Sequence, residues 1–364
     1  MGIVLAILLF SFLVFVHELG HFITAKLSGV QVNEFAIFMG PAIVKWRRGE
    51  TQYSIRCIPF GGYCAMDGED DDSDNPRSFG KAAWWKRLII LVAGAAMNLL
   101  FGFLLFAISF SNSTGFVAPV IDQVQPECTI VGEGAFQLGD KILEVDGDKV
   151  YTATDFSMIL QLNSQQPEGA DVYVPEYHDF VVERQGQIIT LSDVKMEKHL
   201  FTQENGEQAL LYGFSFGVEE MSFGSWLRYS WNSVLSSIQT VRISLVMLFT
   251  GKAGLTDMMG PIGMGQQMSQ VVDAAPNIWD GILDLLYFGG FISVNLCVMN
   301  MLPIPALDGG RSVCLVLTTA VEKIRGKKLN PKYEAYLHGT GMILLLALMA
   351  FVMFKDVFVI FFKG

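Results

Sequence analysis

An apolar run from Val4 to Val16, polar only at Ser11, leads without a break into His17-Glu18-Leu19-Gly20-His21. Such a run folds as a helix in apolar surroundings, where an ionisable side chain costs roughly 2.5 to 3.5 kcal/mol at the centre of a bilayer. Charged groups at that depth persist where they are used. Four residues apart, His17 and His21 project from one helix face and can share a zinc ion, with Glu18 beside them as a candidate base for a water molecule. The competing reading, a pair of satisfied core histidines, carries the same burial penalty with no use for it.

Composition places the rest of the chain around that helix. Hydrophobic residues make up 51% of the sequence and mean hydropathy is +0.40, yet the middle third is acidic. The apolar runs lie at the two ends, at Ile3–Ala25, Leu88–Phe110, Ile282–Met301 and Met342–Phe362. Each approaches the roughly 20 residues needed to cross a bilayer. The first has no basic segment before it and no small-residue cleavage site after it, so it is expected to be a retained helix and not a signal peptide.

Lys and Arg set the expected orientation. They crowd the segments between the first two spans (Lys26, Lys45, Arg47, Arg48, Arg56, Arg77, Lys81, Lys86, Arg87) and between the last two (Arg311, Lys323, Arg325, Lys327, Lys328, Lys332), which are therefore expected in the cytoplasm. Gly115 to Glu220 carries 19 Asp and Glu residues against Lys141, Lys149, Arg184, Lys195 and Lys198, and is expected on the far side with both termini. The net charge of −11 argues against nucleic acid as a partner.

Two histidines leave a zinc site short of a third protein ligand. In Asn300-Met301-Leu302-Pro303-Ile304-Pro305-Ala306-Leu307-Asp308-Gly309-Gly310, two prolines break the third span and a carboxylate follows the break. Unwound backbone at membrane depth is tolerated only where protein or water covers it, as a buried site would. Asp308 is the expected third ligand, with water in the fourth position; the plainer alternative is a helix cap and cytoplasmic turn.

Between the first two spans the pattern changes to period two. Val32 to Phe38, Ile43 to Trp46 and Tyr53 to Ile58 read as strands, with a turn at Arg48-Gly49-Glu50 and an end at Pro59-Phe60-Gly61-Gly62-Tyr63. In the acidic region, Phe136-Gln137-Leu138-Gly139-Asp140-Lys141-Ile142-Leu143-Glu144-Val145-Asp146-Gly147 gives a turn, an alternating strand and an Asp-Gly hairpin turn, a pattern common in bacterial protease PDZ modules. Such modules grip extended peptides by strand addition. Gln161 to Gly213 fits that pattern poorly and suggests an insertion, and His178 and His199 within it are expected to be solvated. From Ser222 to Gly251, Val234, Ile238, Val241, Leu245 and Leu248 share a helical face with Gln239 and Arg242 off it, which suggests a helix along the membrane surface. Cys57, Cys64, Cys128, Cys297 and Cys314 show no paired spacing and are assigned to neither metal nor disulfide.

The expected fold is thus a polytopic α-helical membrane protein with about four transmembrane helices, a membrane-associated β-hairpin or sheet after the first helix, and an extracytoplasmic PDZ-like α+β domain. The expected divisions are 1–114 and 277–364 for the two membrane parts, 115–221 for the PDZ-like domain with a possible insertion, and 222–276 for the surface helix and connector.

The helix bearing His17-Glu18-x-x-His21, paired with Asn300-x-x-Pro303-x-Pro305-x-Leu307-Asp308-Gly309-Gly310 in a late span, resembles the site-2 protease family of intramembrane zinc metalloproteases. Met259-Gly260-Pro261-Ile262-Gly263 and the single PDZ-like domain are similar to its bacterial RseP-type branch. The resemblance covers nearly the whole chain. It implies that His17, His21 and Asp308 hold zinc, that Glu18 activates the attacking water, and that Asn98 donates to the tetrahedral oxyanion. Members often have Gly-Pro-x-x-Asn at that last position, where this chain reads Gly94-Ala95-Ala96-Met97-Asn98. The family pattern further implies that Asn300 holds substrate backbone and that the strands near Gly40, Gly61 and Gly62 dip into the membrane and pair with an unwound substrate. It makes the outer domain a size filter.

The implied activity is hydrolysis of peptide bonds within or near the transmembrane segment of single-span membrane proteins, such as anti-sigma factors, signal-peptide remnants or pheromone precursors, in the bacterial plasma membrane and after an earlier cut. A catalytically silent membrane receptor that holds peptides and carries structural zinc is the alternative, and a lipid hydrolase a third. Oligomeric state is not legible.

Overall fold

The computed structural model describes residues 2–69, 73–125, 130, 132, 135–164, 174–202, 208–254, 260–327 and 331–362. Cys128 and Met259 lie outside the described residues. In chain order the elements are α1 (Gly2–Ser28), β1 (Val32–Arg48), β2 (Thr51–Met66), α2 (Trp84–Ser109), β3 (Gly115–Val124), β4 (Lys141–Val145), β5 (Asp148–Lys149), α3 (Ala153–Asn163), β6 (Glu176–Arg184), β7 (Gln187–Met196), β8 (His199–Thr202), β9 (Gln208–Leu211), β10 (Phe214–Glu220), α4 (Phe223–Thr250), α5 (Pro261–Ala274), α6 (Ile278–Asn300), α7 (Asp308–Arg325) and α8 (Pro331–Phe362). They form two compact units, residues 1–109 with 255–364, and residues 110–254.

Helices of the first unit approach closely because small residues line their crossings. A Cβ on Gly20 of α1 would lie 2.4 Å from the Ala93 carbonyl oxygen of α2, and one on Gly102 of α2 would lie 2.7 Å from Val294 of α6. Without a hydrophobic force between helices in lipid, such contact is what van der Waals packing and occasional hydrogen bonds can exploit. One of those bonds runs from Ser293 Oγ of α6 to the Asn98 carbonyl of α2, at 2.8 Å.

The two long strands form an antiparallel hairpin that turns at Gly49, with Arg48 opposite Thr51 and Trp46 opposite Tyr53. Bends at Phe38 (φ 70°), Gly40 (φ 84°) and Gly61 (φ 74°) break each strand in two. The first half of β1 then pairs twice, Phe35 lying opposite both Cys64 and Tyr53. Its inner face packs on α1 and α2 through a cluster that includes Ala25, Val32, Phe35, Cys64, Met66 and Ile90.

The second unit is an antiparallel sheet in the order β10-β3-β4-β6-β7, with β5 paired to β4, and a separate two-stranded antiparallel sheet of β8 and β9. Phe136, Ile142, Val145, Phe156, Ile159 and Phe180 fill its core. Thr152 and Asp155 form a capping box at the start of α3. His178, expected to be solvated, is instead buried, its Nδ1 2.7 Å from Asp146 Oδ2, because the β6 pleat turns it inward. His199 is half-buried. The helix α4 belongs to this unit: Ser236 Oγ donates to Asp155 Oδ1 at 2.6 Å, Arg242 pairs with Asp148 at 2.6 Å, and Ile243 enters the core.

By length and composition, five helical segments among the described residues are apolar enough to cross a membrane: Ile7–Ser28, Trp84–Asn112, Phe223–Thr250, Ile278–Asn300 and Tyr336–Asp356.

Candidate active site

Regular helix geometry puts His17 and His21 on one face of α1, their ring centroids 4.8 Å apart. The third group comes from the opposite end of the chain. After Asn300, α6 stops at a segment holding Pro303 and Pro305, and α7 begins at Asp308. Gly309 and Gly310 allow this tight return, since a Cβ on either would lie 2.3 Å or less from the backbone of Met301 or Ile304. Asp308 Oδ2 then lies 3.0 Å from His17 Nε2 and 3.2 Å from His21 Nε2, and the two Nε2 atoms are 3.1 Å apart.

These atoms fit a cation. His21 Nδ1 lies 2.8 Å from the Ile90 carbonyl and donates to it, so a neutral His21 carries its lone pair on Nε2. His17 Nδ1 faces the side-chain amides of Asn98 at 3.5 Å and Asn300 at 3.4 Å. Asn98 Oδ1 is buried without a hydrogen-bond partner. Half a turn of the Asn98 amide, whose oxygen and nitrogen are assigned by their surroundings, lets Oδ1 accept from a His17 Nδ1–H. That tautomer leaves His17 Nε2 with a lone pair as well. Two imidazole lone pairs and a carboxylate oxygen at such separations repel unless a cation lies among them. A tetrahedral zinc with bonds of about 2.0–2.1 Å has ligand–ligand edges of about 3.3 Å, close to the triangle observed.

Two further residues shape the place. A Cβ on Gly94 of α2 would lie 2.4 Å from His21 Nε2 and 2.7 Å from His17 Cε1, so only glycine leaves room for both rings. Glu18 faces the backbone amide of Cys64 on β2, beside Gly62, whose Cβ would lie 3.9 Å from Glu18 Cγ. The structure thus gathers His17, Glu18, His21, Asn98, Asn300, Asp308 and Gly62. Gly40 and Gly61 sit instead at the bends of the hairpin, against Ile58 and Met39. Gly94 stands out in the sequence only as one of several small residues on α2, and the Ile90 carbonyl leaves no side-chain signal at all.

A multi-pass membrane protein in which two imidazoles and a carboxylate converge beside a second carboxylate belongs to the membrane metallohydrolases. The comparison with known sequences narrows this: the profile of peptidase family M50 matches residues 5–348, and the chain belongs to that family. It is 35% identical, over 98% of both chains, to a Clostridium perfringens protein named "putative zinc metalloprotease". A Clostridium acetobutylicum protein of the same description is also 35% identical, over 98% of this chain and 97% of its own. The regulator of sigma-W protease RasP of Bacillus subtilis is 25% identical, over 96% of this chain and 97% of its own.

Proposed function

We propose that this zinc metalloprotease is an intramembrane endopeptidase that hydrolyses peptide bonds within or near the transmembrane segment of single-span membrane proteins. The observation that carries the reading is Glu18, a carboxylate next to the His17–His21–Asp308 cluster on an apolar helix. A purely structural metal site has no need of it.

Zinc held by His17, His21 and Asp308 supplies Lewis-acid polarisation and acidifies water. Glu18 takes the proton of the attacking water and returns it to the leaving nitrogen. Asn98 and Asn300, whose amides flank His17, orient that ring and offer N–H donors to the scissile carbonyl and the substrate backbone. The bent hairpin, with Gly62 against Glu18, gives an extended substrate strand a partner to pair with once its helix has unwound. Gly40 and Gly61 set the bends.

Four spans, α1, α2, α6 and α8, agree with the distribution of Lys and Arg, which places the hairpin and α7 in or near the cytoplasm. The polar bonds of α4 to Asp155 and Asp148 suit a helix that belongs to the sheet-bearing unit more than one facing lipid. That unit reads as an extracytoplasmic PDZ-like domain, and the bacterial plasma membrane is the location. A relative named for the sigma-W response makes a membrane-bound anti-sigma factor one substrate to try.

The test is expression beside a panel of tagged single-span substrates, with a Glu18→Gln variant in parallel. Cleavage of at least one substrate by the native chain and none by the variant is the expected result; cleavage by both removes Glu18 from the chemistry.

A further inference from the structure

We infer that His338, on α8, is a positioning residue for the metal site, holding through one hydrogen bond the loop that delivers Asp308. The inference rests on the zinc-protease reading above.

The loop between α6 and α7 has few ways to satisfy its own backbone. Pro303 and Pro305 have no N–H to give. Ile304 N donates to the Leu302 carbonyl at 2.7 Å and Leu307 N to the Ile304 carbonyl at 3.2 Å. Between them, Ala306 N–H leaves the loop and donates to His338 Nδ1 at 3.0 Å. Since Nδ1 accepts there, the imidazole is neutral with its proton on Nε2.

Ala306 is also the strained residue of the loop. Its φ of +80° lies in a region that side chains other than glycine rarely adopt, and such a conformation persists only where surrounding contacts impose it. Those contacts come from two sides. Gly309 and Gly310 press the start of α7 against Met301 and Ile304. On the other side, one turn along α8 from His338, Gly341 lies so close that its Cβ would fall 2.5 Å from Pro305 Cβ and 2.7 Å from the Pro305 oxygen. His338 supplies the directional part of this clamp.

Asp308 is two residues beyond Ala306. A rotation about the Ala306 backbone swings its carboxylate, and Oδ2 must stay 3.0 to 3.2 Å from two imidazole nitrogens on α1. The hydrogen bond from Ala306 to His338 is therefore coupled to ligand placement although His338 touches no ligand.

The experiment compares His338→Asn, His338→Gln, His338→Ala and the pair His338→Ala with Ala306→Gly, in the full chain and again in a Glu18→Gln background. Zinc retained against graded chelator is measured by elemental analysis, and kcat and KM on a cleaved substrate are measured separately. Asparagine places an oxygen near the position of Nδ1, whereas glutamine reaches to that of Nε2. The expected result is zinc affinity lowered about 10- to 100-fold in the alanine and glutamine variants, the usual range for an outer-shell partner. Asparagine should stay near native, and kcat should fall more than KM rises. Adding Ala306→Gly to His338→Ala should recover part of the loss, because glycine adopts that φ freely.

Native zinc affinity in His338→Ala, or a loss in His338→Asn as large as in His338→Ala, overturns the inference alone. If the alanine variant does not fold, the asparagine–glutamine comparison decides on the same terms. Native zinc affinity in an Asp308→Asn control overturns the ligand assignment itself, and this inference with it.

Discussion

His17 Nε2 and Asp308 Oδ2 meet at 3.0 Å although 291 positions separate them in the chain. Contact at that range requires α1, the break after α6 and the first turn of α7 to be placed together, so loss of either partner should empty the site. Asp308→Asn keeps the volume and one oxygen but removes the charge that two imidazoles share. Bound zinc, by elemental analysis of the purified chain, is expected to fall from about one equivalent to a small fraction of one. A chelator should abolish cleavage by the native chain and added zinc restore it. Full zinc occupancy in Asp308→Asn would mean that a different group is the third ligand.

Glu18 should behave in the opposite way. It lies next to the cluster without being one of the three converging donors, so Glu18→Gln is expected to retain zinc and melt as the native chain does. Removing a general base costs about 100- to 10,000-fold in rate. The diagnostic pair is zinc content and turnover in one preparation. Loss of both together would show that Glu18 is structural.

Gly94→Ala separates helix stability from site geometry. In a helix interior alanine is favoured over glycine by roughly 1 kcal/mol, so α2 taken alone gains. The added Cβ would lie 2.4 Å from His21 Nε2, and the rings cannot retreat because His21 is tied to Ile90 and His17 is flanked by Asn98 and Asn300. The expected variant is folded and helical by circular dichroism, with zinc binding and cleavage both lost. A variant that binds zinc normally would show that α2 yields at this point.

These effects trace the limits of reading the chain alone. The histidine face of α1 follows from helical spacing, and the position of Asp308 from what a double proline does to an apolar helix. The hairpin strands are visible as period-two segments. Their pairing is not, because alternation tells which face a residue occupies and leaves its partner open; Phe35 facing both Cys64 and Tyr53 depends on bends at Phe38, Gly40 and Gly61. Gly94 and His338 are invisible for a different reason. A missing Cβ beside two rings, or one acceptor for one loop N–H, leaves no periodic trace. His178 is misjudged from sequence because its hydrogen-bond partner, Asp146, comes from the turn after β4 and is distant in the chain.

Acid should loosen the hairpin through Glu34. Glu34 on β1 pairs with Arg56 on β2 at 2.8 Å and accepts from Ser54 at 2.7 Å, while the same guanidinium reaches the Tyr63 hydroxyl and holds the Gly40 carbonyl at 2.6 Å. Burial pushes the Glu34 carboxyl up, but the hydrogen bonds from Ser54 and Arg56 outweigh it and hold the group at about 2, below its ordinary 4.5. A carboxyl lowered on folding contributes stability that is fully present above the unfolded value and is lost as pH falls through the folded one. The window therefore runs from about pH 4.5 down to about pH 2. Across it the melting temperature of the native chain in detergent should fall more steeply than that of Glu34→Gln, which carries no such group, and the two should differ most at neutral pH with the native chain the more stable. Parallel curves for the two proteins would remove Glu34 from the stability of the hairpin, and with it the clamp that Arg56 places on Gly40.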